Sequence, residues 1–224
     1  MTGAIRKFDE MTLGEIAANI PGATAIFRRH DLDFCCAGHQ PFTQAVADRR
    51  LDKNALIEEL SALSDTVADG DGFPAVTTDT PTLVNYIISR FHDEHRDQFP
   101  ELIQLAGRVE KVHAGHPLCP KGLEAHLRSM FSELLAHMEK EENILFPLLA
   151  KGMPRERVSG PIAMMESEHE DHGRALLAIR ELTHEGKLPK EACNSWRGLY
   201  RGLGQLEEDL VKHIHLENNV LFMR

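Results

Sequence analysis

Cysteine, aromatic residues and positive charge are all scarce in this chain. Four cysteines in 224 residues, at positions 35, 36, 119 and 193, are too few and too irregularly spaced for a disulfide framework. Lys and Arg number 25 against 35 Asp and Glu, giving a formal net charge of -10, and no basic face offsets it. That argues against a nucleic-acid or anionic-membrane binder. No apolar run approaches the roughly 18 residues of a membrane helix, and Met1 to Glu15 alternates charged and apolar residues where a secretory leader would carry an apolar core. A cytoplasmic protein is the expectation. Trp occurs once and Tyr twice, whereas histidine occurs 13 times and outnumbers the 10 Phe. The question that composition poses is what the histidines are for.

At 42% hydrophobic and 27% charged the chain otherwise reads as an ordinary globular protein, neither disordered nor fibrous. A cluster of Gly, Pro, Asp and Thr without helical period predicts an irregular linker over 65–80. It separates a small N-terminal domain, 1–64, from a larger one, 81–224. The small domain reads as short helices. Thr12-Leu-Gly-Glu15 has the spacing of a capping box with Ile16 and Ile20 behind it, and Pro21-Gly22 ends that helix. Ala23 to His30 begins another, a turn from Asp31 to Gly38 carries Cys35-Cys36, and Phe42 to Arg49 and Asn54 to Leu63 follow.

The larger domain contains long periodic stretches near Thr82–His113, Gly122–Lys151, Val158–Glu185 and Pro189–Phe222, joined by loops bearing Gly or Pro. Short gaps between long helices predict an up-down-up-down, antiparallel four-helix bundle. The bundle is internally repeated. His137-Met-Glu-Lys-Glu-Glu-Asn-Ile-Leu-Phe146 aligns with His213-Ile-His-Leu-Glu-Asn-Asn-Val-Leu-Phe222, and His92-Asp-Glu-His95 aligns with His169-Glu-Asp-His172.

These polar residues fall on the inward seams. The second helix presents Leu127, Met130, Leu134, His137, Glu141, Ile144 and Leu148 at alternating three- and four-residue steps, and the fourth presents Leu203, Leu206, Leu210, His213, Glu217 and Val220. The first gives Ile88, His92, His95, Phe99 and Leu102; the third gives Met165, His169, His172, Leu176 and Ile179. An ionised carboxylate among Leu and Ile costs several kcal/mol unless something compensates it. A metal ion would compensate. Paired His-x-x-x-Glu helices and paired single-His helices supply imidazoles and carboxylates that suit two metals with both carboxylates bridging, and a di-iron centre is the redox-active candidate for that donor set. Spacing leaves either His92 or His95, and either His169 or His172, as the ligand. Glu133 and Glu168 are candidates for outer hydrogen-bond acceptors, with a solvated role the simpler reading. His30, His39, His113, His116, His126 and His184 fall near loops or off the seams, and His215 points away from its seam.

With these residues in view, the sequence resembles the iron-sulfur cluster repair di-iron proteins, hemerythrin-like stress proteins of bacteria. The carriers are Phe27-Arg-Arg-His-Asp-Leu-Asp-Phe-Cys-Cys36, Arg90-Phe-His-Asp-Glu-His-Arg96, His137 to Pro147, Met165-Glu-Ser-Glu-His169 and His213 to Phe222. The resemblance implies an all-α fold, a hemerythrin-like bundle preceded by a small helical domain. It implies terminal ligands His92, His137, His169 and His213, with Glu141 and Glu217 bridging two non-haem irons in an oxo-bridged centre. It further implies repair of iron-sulfur clusters damaged by nitric oxide or oxidants, by iron donation or by binding or reducing nitric oxide. Damaged iron-sulfur proteins or cluster-assembly proteins would be the partners, and NO or O2 the small ligands. A non-enzymatic dioxygen or NO carrier or sensor is the alternative on the same bundle. A ferritin-like iron oxidase would show Glu-x-x-His instead. An accessible small domain on a linker is compatible with a homodimer. Adjacent Cys35 and Cys36 would close only a strained ring, so the pair is either structural or exchanges NO, metal or electrons. Cys119 and Cys193 read as structural.

Overall fold

The computed structural model describes residues 8–65 and 77–224. Most of the expected linker, residues 66–76, lies outside the described residues. Those that are described are helical and contain no strand; an isolated antiparallel bridge pairs Thr12 with Pro41. The backbone groups into two compact units, Met1–Leu83 with Lys212–Arg224, and Val84–Val211.

In the first unit the short helices α1 (Leu13–Asn19), α2 (Ala23–Arg29), α3 (Phe42–Asp48) and α4 (Lys53–Asp65) follow the sequence signals. The capping box forms: Glu15 N donates to Thr12 Oγ1 at 3.2 Å, and Thr12 N donates to Glu15 Oε2 at 2.8 Å. Gly22 takes φ 86° to start α2, a conformation that Pro21-Gly22 foreshadowed. Leu13, Ile16, Phe27, Phe34, Phe42 and Leu60 form the core. The C-terminal segment shares in it through His215, whose ring meets Phe34 edge-on at 5.4 Å.

The expected bundle rods run Thr80–Val112, Leu123–Ala150, Arg155–Leu182 and Asn194–Leu221. The fourth begins at Asn194, five residues later than the periodicity suggests, because Lys190 and Ala192 turn their carbonyls to the Arg197 guanidinium. The second is capped by Gly122, φ 90°, where the Glu110 carboxylate accepts from Gly122 N and Glu124 N at 3.1 and 2.7 Å. An acceptor there satisfies amides that a helix N-terminus leaves unpaired. Buried Asp209 ties rods together: it accepts from Arg90 at 2.7 Å and from Gln98 at 2.8 Å. Phe99 and Phe131 stack at 5.0 Å across the first and second rods.

The seams depart from plain α-helical spacing. Three π-helical turns interrupt the rods, at Ile88–His92, Glu141–Leu145 and Glu217–Leu221. Each contains or begins on an expected ligand. In a π turn the amide five residues on closes the ring, as Phe146 N does to Glu141 O and Phe222 N to Glu217 O. The extra residue advances the inward face by one position. Ile144, expected on the seam, is therefore 54% exposed, and Leu145 is buried in its stead. Likewise Ile88 is only half-buried and Ile87 takes the core position. Leu148 is also only half-buried. Every other expected seam residue is buried.

Candidate metal centre

Within Val84–Val211 the expected donors converge. His92, His137, Glu141 and His169 are each no more than 1% exposed. Glu141 turns one carboxylate oxygen to each of two imidazoles: Oε2 lies 3.5 Å from His92 Nε2 and Oε1 lies 3.3 Å from His137 Nε2. That disposition is what a bridging carboxylate needs. His169 Nε2 lies 3.1 Å from His137 Nε2, and His137, Glu141 and His169 offer ligand atoms within 4.8 Å of one another.

The far side of two rings decides their tautomers. His92 Nδ1 lies 2.7 Å from Glu142 Oε1, and His137 Nδ1 lies 2.9 Å from Glu168 Oε2. A carboxylate can only accept, so each Nδ1 carries a proton, and in the neutral ring Nε2 is the nitrogen that presents a lone pair inward. Both carboxylates are themselves anchored by a cation on the ring-bearing helix: Arg96 NH2 donates to Glu142 at 2.6 Å, and Lys140 Nζ donates to Glu168. Burial raises the Glu142 carboxyl, but the hydrogen bonds from Arg96 and His92 and the charges of both outweigh it and hold it below its ordinary value. Glu168 behaves the same way, burial being outweighed by Lys140 and His137. Both acceptors stay ionised and keep their imidazoles basic and fixed in orientation, the usual support of a metal-bound histidine.

Of the two candidate acceptors read from sequence, Glu168 takes that role, whereas exposed Glu133 accepts from Ser129 Oγ at 3.0 Å. Glu142 was missed. Its signal was available, a second acid directly after the seam Glu141 and an Arg one turn beyond His92.

The remaining donors lie in the other unit. His213 and Glu217 are buried, with His213 Nε2 2.9 Å from Glu217 Oε1. His215, read as pointing away from its seam, is fully buried beside Phe34, and Asn219 Nδ2 lies 3.2 Å from its Nδ1. Burial pulls its pKa down to about 4, so the ring is neutral at neutral pH. His95 and His172 are buried as well: the His172 ring stands perpendicular to that of His137 at 5.0 Å, and His95 lies 6.5 Å from Phe91. His113 and His116 pack on Trp196, and His126 Nε2 lies 2.9 Å from Ala175 O. Those rings have packing duties rather than surface ones.

Cys35 and Cys36 are half-buried in the first unit with Sγ atoms 3.7 Å apart, and Asp33 Oδ1 lies 3.2 Å from Cys35 Sγ. Buried Cys119 has its Sγ 3.9 Å from Glu110 O, and Cys193 lies 3.3 Å from His113 Nε2.

The donor set fits a transition-metal centre. Two imidazoles facing one another through Nε2 at 3.1 Å, beside a buried carboxylate, form a donor cluster that a cation would stabilise, and N/O donors of this kind suit iron. They do not suit magnesium or calcium, which take oxygen ligands.

Comparison with known sequences agrees. The sequence model of the hemerythrin HHE cation binding domain matches residues 83–224, and that of a domain of unknown function, DUF542, matches residues 9–64. The chain is similar to the iron-sulfur cluster repair protein YtfE of Citrobacter koseri, 44% identical over 218 residues with 97% of each chain covered. It is similar to proteins of the same name from Yersinia pseudotuberculosis and Yersinia pestis, each 45% identical over 217 residues, again with 97% of each chain covered. Among the described residues no helix is long and apolar enough to cross a membrane. A buried His and Glu donor set on repeated helices, a helical N-terminal domain with paired cysteines and near full-length similarity together place this chain in the family of hemerythrin-like, non-haem iron proteins of iron-sulfur cluster repair.

Proposed function

We propose that this protein is a cytoplasmic di-iron repair factor that returns damaged iron-sulfur proteins to service, donating iron and binding or reducing nitric oxide. Six residues carry the proposal: His92, His137, His169 and His213 as terminal ligands, with Glu141 and Glu217 bridging. The observation that supports it most is Glu141, buried and turned by its two oxygens toward two different imidazoles. We extend the proposal to the domain plan read from sequence, 1–64, 65–80 and 81–224.

Two irons in such a site supply redox-active, Lewis-acidic positions at which a diatomic ligand can be held. The chain's own residues prepare for them. Glu142 and Glu168 hold the His92 and His137 rings in the tautomer that turns a lone pair inward, and Arg96 and Lys140 keep those carboxylates ionised. Stacking of the His92 ring on Phe146 at 5.6 Å fixes its tilt. In the small domain, Cys35 and Cys36 serve as the exchange pair through which metal or NO passes.

Iron analysis with an optical spectrum of the aerobically purified protein tests the centre: two irons per chain and oxo-bridged diferric absorption are expected, and less than one iron would sink it. Repair is tested by adding the iron-loaded protein to an NO-damaged iron-sulfur enzyme and following recovery of its activity. No recovery above that given by a Glu141→Ala control would refute the repair role.

A further inference from the structure

We infer that Asp33, Cys35 and Cys36 form a second metal site, separate from the bundle's donors, that takes a single divalent transition-metal ion of borderline softness, Zn2+ or Fe2+. The inference builds on the exchange role proposed for the cysteine pair and gives it a chemical form.

Local sequence makes the site. Asp33 Oδ1 accepts from Cys36 N at 2.9 Å and Cys35 N at 3.2 Å, a turn in which an aspartate side chain organises the residues after it. The turn sets both thiols on the same side of the loop, with Cys35 Sγ 3.7 Å from Cys36 Sγ and 3.2 Å from Asp33 Oδ1. The loop is also held from its other side. Asn218 Nδ2 donates to Cys35 O at 3.1 Å, and Asn219 Nδ2 lies 3.2 Å from both Phe34 O and Cys35 O.

The spacing matches a metal's bite. Two zinc-sulfur bonds of about 2.3 Å at the tetrahedral angle place the sulfurs about 3.8 Å apart. The observed separation is 3.7 Å, reached without a disulfide. A carboxylate oxygen at about 2.0–2.2 Å from the same ion would stand roughly 3.5 Å from each sulfur, close to the 3.2 Å seen from Asp33 to Cys35. Asp33 is exposed and both cysteines are half-buried, so an ion can enter and keep a water at its fourth position.

Electrostatics point the same way. The Cys36 thiol bonded to Cys35, then burial, then the charges of Cys36 and Asp33 push the Cys35 thiol well above its ordinary pKa. Three acidic groups this close cannot all ionise without a cation among them. Two soft thiolates with one hard carboxylate select against Mg2+ and Ca2+ on one side and Cu+ on the other. Binding exchanges charge for charge: the ion enters, two thiol protons leave to solvent, and no electron moves.

Cobalt(II) is the probe. Reduced, iron-loaded, full-length protein titrated anaerobically with Co2+ should bind one further equivalent, with a thiolate-to-cobalt charge-transfer band and tetrahedral ligand-field absorption that Zn2+ abolishes. Cys36→Ser should diminish the charge-transfer band, and Asp33→Asn should weaken cobalt at least about tenfold. Both variants should keep their bundle iron, which reports that they fold. As a second reading, Zn2+ should slow alkylation of Cys35 and Cys36 in the wild type. No sulfur-to-cobalt band, an unchanged band in the Cys35→Ser, Cys36→Ser double variant, or alkylation indifferent to Zn2+ would each overturn the site. Cobalt binding in a protein that repairs nothing would instead remove the repair role and leave this site standing.

Discussion

His137 and His169 bring their Nε2 atoms to 3.1 Å inside the helical core, while the opposite nitrogen of His137 is bonded to Glu168. The carboxylate fixes a proton on Nδ1, so in the neutral ring His137 Nε2 turns its lone pair toward the second imidazole. A cation held between the rings would exchange that contact for two metal–nitrogen bonds. Glu168 and its counterpart on His92, Glu142, would therefore act on a bound metal through the rings they hold.

That relationship predicts a graded response to substitution. Glu142→Ala or Glu168→Ala should weaken iron binding by about 10–100-fold, the usual cost of losing the group that orients a metal-bound histidine. Glu142→Gln should cost less, because its amide oxygen still accepts from His92 Nδ1 and only the charge facing Arg96 is lost. Competition with a chelator of known affinity measures the series, and circular dichroism should show helices unchanged. Equal losses for Ala and Gln would show that charge, not ring orientation, sets the affinity.

Glu141 gives a prediction in which stability and function move in opposite directions. It is fully buried with its oxygens facing the His92 and His137 rings, and an ionised carboxylate held there is best compensated by a bound cation. Glu141→Leu should abolish iron binding yet raise the stability of the metal-free protein, by something on the order of 1–4 kcal/mol. Iron should reverse the ranking, since binding to the folded state alone stabilises the wild type and not the variant. Denaturant unfolding with and without iron reads both halves. A metal-free Glu141→Leu protein less stable than metal-free wild type would mean that Glu141 holds the apo structure by its own contacts.

Much of this was legible in the residue order. The seams of Leu, Met and Phe marked four rods, and His and Glu standing where Leu belongs marked the candidate donors. The capping box at Thr12 and the break at Pro21-Gly22 are local chemistry and appeared where expected. What spacing could not show was the π turns. A strict three-four count puts Ile144 and Ile88 inward, and only an inserted residue in the helical ladder turns Leu145 and Ile87 in instead. Glu142 escaped for a related reason. It lies one residue off the seam, and its importance comes from His92, which is distant in sequence. His215 was passed over because its partner Phe34 belongs to the other end of the chain.

The π turn at Glu141–Leu145 can be tested by truncation at neighbouring positions. Ile144→Ala should change stability by no more than about 0.5 kcal/mol, as for an ordinary surface position. Leu145→Ala should cost about 2–5 kcal/mol, the range for emptying a core site. Their exposures, 54% and 1%, set the contrast. Uninterrupted α-helical spacing gives the reverse ranking, so urea unfolding of the two variants separates the geometries directly.

Asn219 fills a niche between two glycines, and this is where a single methyl should matter most in the small unit. A Cβ at Gly38 would run into Asn219 Oδ1 and come within 2.7 Å of Phe34 O; one at Gly14 would also strike Asn219 Oδ1 but stand 3.1 Å from Gly38 O. Gly38→Ala meets backbone as well as side chain, so it should destabilise by about 1–3 kcal/mol, the usual penalty of overpacking. Gly14→Ala conflicts chiefly with a side chain. Asn219→Ala gives up the bonds to Phe34 O and Cys35 O but clears that space. Adding it to Gly14→Ala should therefore cost less than the sum of the two single changes, whereas Gly38→Ala should keep most of its penalty in the Asn219→Ala background, because Phe34 O remains. Thermal unfolding of the five variants completes both cycles, and equal coupling for Gly14 and Gly38 would show that the niche is shaped by Asn219 alone.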